Sequence, residues 1–419
     1  MSSLRAGYGE AVITPPPGTD LTGFGFYLER KAEKVLDDLK VRALYLEDRK
    51  ERLLIISCDL LGLSVTRADN IRAQVGAAFN LPTRNVLLSC THTHSGPATE
   101  AMPGLGRVNR DYLKHLPKAV ARAAELAAAS GEEAEFGFSS EAAEPIGFNR
   151  RRKNFQEIDP WLNVAVFRLK DRRLFLLNYA CHAVTLGPTE VVSADWPGAV
   201  IRGIEHGGDR GLFLQGFCGD IDPVVYLNRR LGATAADLAL YGEILASRAR
   251  KAADRAVFEP EARLRASENR IRLPLLVPAK GDLKKEAAAA LESSREFSGV
   301  RSIIQNWRER AEKKHAAFHK SPWMENIPVQ VVAIGCLKIL GLPGEVFCAY
   351  GLKLRRSQPS LMTAGYANGD IGYLPTKRAY CTPGDYACTF APKFYALFPF
   401  SPAIESILLR ESRNILAGL

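Results

Sequence analysis

The chain has 419 residues, 47% of them hydrophobic and 24% charged, which is long and apolar enough for a substantial core and excludes disorder as its general state. Its net charge of +10, from 56 basic and 46 acidic residues, is spread along the sequence and signifies little beyond mild basicity. The one dense basic run, NRRRKN (149–154), lacks the interleaved aromatics of a nucleic-acid stacking platform, so no nucleic-acid partner is expected.

From the amino end, MSSLRAGYGE has no apolar core of a secretory leader, so none is expected. The eight cysteines, at 58, 90, 181, 218, 336, 348, 381 and 388, show no CxxC spacing, and several lie inside apolar runs. That usage fits reduced thiols and a cytoplasmic location.

Short aliphatic runs predict strands at 52–58, 85–90, 162–169, 173–180, 211–217, 327–334 and 336–342, while longer periodic segments predict helices at 65–78, 110–129, 235–254, 283–317 and 345–356. The alternation predicts an α/β fold, a mixed β-sheet core flanked by helices. The apolar stretch 327–344 is broken by Gln330 and Lys338 and falls short of the ~20 residues a spanning helix needs, so no membrane span is expected. No internal repeat or flexible linker is evident, and the pattern weakens near 255–282. The expectation is one domain over 1–419 with a helical insertion at about 280–325.

Ligands of α/β sheets gather beyond the carboxyl ends of strands. Those ends here are followed by THTHSGP, CHAVTLG, CGDIDP and PGEVF, which offer His92, His94, His182, Asp220, Asp222 and Glu345. Imidazoles with carboxylates suit Zn²⁺ with an open position for water. Each residue also has a structural alternative. His182 fits a hydrogen-bonded strand end, Glu345 fits the first turn of the next helix, and Asp220 and Asp222 fit a turn before Pro223. In extended backbone His92 and His94 face the same side. Further on, Tyr366, Tyr373 and Tyr380 recur every seven residues in a glycine-rich stretch, and the arginines of 150–152 suggest an anion-binding edge.

Taken in order, AVITPPPG and LTGFG (11–25), DDLKVRALYLED (37–48), THTHSGP (91–97), GFNR (147–150), GDIDP (219–223), LPGE (342–345) and GYLPT (372–376) resemble the catalytic domain of the neutral/alkaline, non-lysosomal ceramidase family. The resemblance implies zinc ligands at His92, His182, Glu345 and Tyr373, with His94 and Arg150 facing the scissile group and Tyr386 assisting. It fails at the nucleophile, because Asp222 stands where the family has serine in a GDVSP-like motif. An aspartate is a good general base, so attack by a metal-activated water is the expected mechanism. With the sequence running to 419, the family's C-terminal immunoglobulin-like domain is not expected here.

Together these features predict a zinc-dependent hydrolase of an amide or ester in a small polar or anionic substrate, with Asp222 or His94 as base. Ceramide itself is not expected. Glycoside cleavage by paired carboxylates and a non-catalytic binding role are the alternatives. Oligomeric state is not legible.

Overall fold

The computed structural model describes residues 4–25, 30–100, 102, 105–227, 233–295 and 299–419. Three mixed sheets share one order of strands. In the first, Arg5–Val12, Lys40–Glu47 and Arg52–Cys58 run antiparallel in succession, and Val86–Cys90 adds in parallel. Glu135–Ala142, Trp161–Arg168, Arg173–Tyr179 and Arg210–Gln215 repeat that pattern in the second. Leu264–Pro274, Trp323–Ile334, Leu337–Gly341 and Leu361–Ala364 repeat it in the third.

The helices repeat as well. Val65–Ala78, Asp195–Glu205 and Cys348–Arg355 each connect the third strand of a unit to its parallel fourth. Arg110–Ala129, Ala235–Asp254 and Ile404–Ala417 each follow the fourth strand and pack on the first two strands of their own unit. A parallel pair requires such a crossover, and a helix supplies it while covering one sheet face. The absence of a repeat in the sequence is therefore corrected at the level of topology, which recurs three times with no shared motif.

Alternation along the strands divides the core. Leu44 and Leu46, Ala165 and Phe167, and Val332 and Ile334 point inward from the three sheets into a common apolar cluster. Val41, Ala43, Val164 and Val166 point outward against helices, as do Val329 and Val331 of the third unit. The two-residue period of a strand produces this split, and burial of one aliphatic side chain contributes roughly 1.5–3 kcal/mol.

The helices at 65–78, 110–129 and 235–254 form as expected. The segment 283–317 is instead two helices, Asp282–Ser293 and Val300–Lys320. Glu345 does not open a helix: it lies in the short strand Glu345–Val346, and the helix starts at Cys348. The weak region near 255–282 contains the edge strand Leu264–Pro274, whose exposed charged residues mask its period and also protect an open sheet edge. All eight cysteines are free. Among the described residues no helix is long and apolar enough to cross a membrane.

Candidate metal centre and catalytic cavity

Loops leaving the strand ends of all three units meet at one cavity. In the first unit the fourth strand stops at Cys90, and His92 follows with φ +62°. Its Nδ1 lies 2.7 Å from the Leu61 carbonyl oxygen and donates to it, which leaves Nε2 as the atom with a free lone pair. His182 follows the third strand of the second unit, and its Nδ1 donates to the Cys218 carbonyl at 2.7 Å. Glu345 follows the third strand of the third unit. Its Oε2 lies 3.1 Å from Nε2 of His182 and 3.6 Å from Nε2 of His92.

His94 completes the cluster, with ligand atoms of His92, His94 and His182 all within 4.8 Å of one another. Nε2 of His92 and both ring nitrogens of His94 are buried without a hydrogen-bond partner among the described residues. Burial and the two neighbouring imidazoles hold the His94 pKa well below the ordinary histidine value. Burial pushes the Glu345 carboxyl up, but the contact with His182 and the neighbouring His92 imidazole outweigh it and leave the group well below the usual carboxylate range.

A two-stranded ladder carrying GFNR and GDIDP supplies polar lining. Gly147–Asn149 pairs antiparallel with Ile221–Pro223, and Arg150 and Asp222 leave this ladder on the cavity side. Nη1 of Arg150 donates to Oδ1 of Asp222 at 3.1 Å, and Nη2 donates to the Tyr373 hydroxyl at 2.7 Å and to the Gly219 carbonyl at 2.8 Å. Tyr373 pairs with Glu345 in the parallel ladder, so the two side chains start at the same level. Burial raises the Tyr373 phenol well above its usual pKa, against the pull of Arg150. Tyr386 meets Tyr373 edge to face, with centroids 5.7 Å apart.

The cavity has a volume of about 750 Å³. Phe24, Leu61, Met102, Leu105 and Phe394 give it apolar lining, and Arg150, Asp222 and Tyr226 give it polar lining. His92, His94, Arg150, Asp222, Glu345, Tyr373 and Tyr386 line it, and His182 lies against Glu345. Asp220 takes no part: it is buried and accepts from the Cys348 amide at 2.8 Å and from Asn149 at 3.0 Å. The arginine run is neutralised rather than open to an anion, since Arg150 pairs with Asp222, Arg151 with Asp385 and Arg152 with Glu157.

Sequence reasoning missed several neighbours of the cluster. Tyr395 donates to Oε1 of Glu345 at 2.7 Å and lies 3.2 Å from Oδ2 of Asp370. Phe24 packs edge-on against His94 at 4.9 Å. Of the three spaced tyrosines, Tyr366 lies under His92 and Tyr373 lines the cavity, whereas Tyr380 is structural and donates to the Phe400 carbonyl. The LTGFG motif held a signal for Phe24, but nothing near Tyr395 marked it.

No family model matches the chain. A segment of 64 residues is 41% identical to a neutral ceramidase of Mycobacterium tuberculosis (strain ATCC 25618 / H37Rv), and this match spans 13% of the present chain and 10% of that protein. The crystal structure of neutral ceramidase from Pseudomonas aeruginosa superimposes with a TM-score of 0.75 at 18% identity, covering 99% of this chain and 74% of that one. A ceramidase complexed with C2 gives 0.76 at 16% identity over the same shares. The fold is therefore that of the ceramidase catalytic region, as the sequence resemblance implied.

Proposed function

We propose that the chain is a metal-dependent hydrolase of an amide or ester bond, with zinc held by His92, His182, Glu345 and Tyr373. The observation that carries this reading is the buried Nε2 of His92, without a hydrogen-bond partner among the described residues, beside Nε2 of His182 and the buried Glu345 carboxylate. An unpaired buried acceptor costs about 1–3 kcal/mol, and ligation of a cation removes that cost. Each ligand histidine already donates its other nitrogen to a backbone carbonyl, which fixes the tautomer that ligation requires.

Bound zinc would supply a Lewis acid and lower the pKa of a water molecule. The remaining work falls to the chain's own groups. Asp222 accepts the proton that the attacking water loses and returns it to the departing nitrogen or oxygen. Arg150 holds that carboxylate in place through its 3.1 Å contact. His94, kept neutral by burial, offers a second acceptor beside the scissile group. Tyr386, on the cavity wall, donates to the carbonyl oxygen as charge develops there.

The cavity volume suits a small molecule, and its mixed lining suits a substrate with both apolar and polar groups. Ceramidase activity belongs to the named neighbours, and the aspartate at 222 argues against carrying it over. Turnover of a panel of amides and esters, but not of glycosides, supports the reading. Activity confined to glycosides refutes it, and no turnover of any class by zinc-loaded protein favours a binding role.

A further inference from the structure

Tyr366 and His92 occupy equivalent places in two of the repeated units. His92 is two residues beyond Cys90, where the fourth strand of the first unit ends, and Tyr366 is two residues beyond Ala364, where that of the third unit ends. Their rings stack, with centroids 3.8 Å apart and planes only 13° from parallel. Both residues hold left-handed backbone, φ +62° for His92 and +52° for Tyr366. A side chain other than glycine enters that region at a cost of roughly 1–3 kcal/mol when the surrounding structure imposes it. The fold bears that cost twice to set these two rings face to face.

Tyr366 also reaches the second histidine. Its hydroxyl lies 3.5 Å from Sγ of Cys218, the residue whose carbonyl oxygen accepts from Nδ1 of His182. The backbone fixes the phenol from both sides: the Tyr366 amide donates to the Gly344 carbonyl, next to Glu345, and the Tyr366 carbonyl accepts from the Cys90 amide. The side chain is 1% exposed, so it meets no substrate.

We propose that Tyr366 is a positioning residue for the metal centre, its ring holding the plane of His92 so that Nε2 is aimed at the ion. An imidazole that ligates a cation becomes electron-poor, and the electron-rich face of a phenol attracts such a ring. The stack therefore strengthens on ligation, unlike ordinary packing. This inference rests on the metal reading above.

The test compares Co²⁺ binding, by visible absorption and by chelator competition, in the wild type, Tyr366→Phe, Tyr366→Leu and Tyr366→Asn, with thermal unfolding of each metal-free protein. Asparagine tolerates left-handed backbone, so it separates loss of the ring from added strain. The expected result is near wild-type affinity for Tyr366→Phe, and an affinity about tenfold or more lower for Leu and Asn with an altered cobalt spectrum. Wild-type affinity and spectrum in either folded ring-less variant overturn the proposal, as does an equal loss in Tyr366→Phe. A wild type that binds no Co²⁺ overturns the metal reading itself.

Discussion

Nε2 of His182 lies 3.1 Å from Oε2 of Glu345, although 163 residues separate the two in the chain. Each follows the third strand of its own unit, so the repeated topology, rather than local sequence, brings them together. Replacing Glu345 by Gln keeps the shape and removes the charge. Metal affinity measured by chelator competition should fall at least tenfold, and an unchanged affinity would remove Glu345 from the ligand set.

Asp222→Asn tests the proton acceptor. Asparagine keeps the size and can still accept from Arg150, but it cannot take a proton. On any amide or ester that the wild type turns over, kcat should fall by about 100-fold or more, with metal content unchanged. Undiminished turnover would leave His94 as the sole candidate base.

Gly23 shows how closely the LTGFG loop is fitted to the site. A Cβ there would lie 2.5 Å from Cγ of His94, on backbone at φ +113°. Gly18 has φ +78° but open space around it. Gly18→Ala should therefore lower stability by about 1 kcal/mol and leave turnover intact. Gly23→Ala should lower both stability and turnover, read by denaturant melts and steady-state rates. Equal effects of the two would mean that contact with His94 is irrelevant.

Burial and the nearby Glu345 push the Asp370 carboxyl up to about 6. An unfolded aspartate titrates near 3.9, so between about pH 4 and 6 the folded protein keeps a proton that the unfolded chain has lost. Stability at this site is highest below that window and falls as the pH rises through it. In metal-free protein, Asp370→Asn should gain about 2 kcal/mol relative to wild type between pH 4 and pH 7. A difference that stays constant over that range contradicts the shifted carboxyl.

The strand ends that carry the site were legible because buried parallel strands leave uninterrupted aliphatic runs, as at Arg52–Cys58 and Arg173–Tyr179. Strands exposed on one side, such as Arg5–Val12 and Leu264–Pro274, escaped notice because charged residues interrupt their period. The threefold topology was invisible for a related reason: it is conserved as geometry, while the inward residues are Leu44, Ala165 and Val332, which share only apolarity. His92, His182 and Glu345 were found through chemistry at strand ends, whereas Tyr395 reaches Glu345 from a distant loop and left no mark. The arginine run misled because sequence shows charges but not partners, and Asp385 lies 234 residues from Arg151.

Metal content of the purified wild-type protein tests the central claim most directly. Cells grown with zinc should yield about one equivalent per chain by mass spectrometry, with the amount collapsing in a His92→Ala, His182→Ala double variant that remains folded. Less than about half an equivalent of any transition metal in the wild type, or undiminished metal in the double variant, would contradict the account.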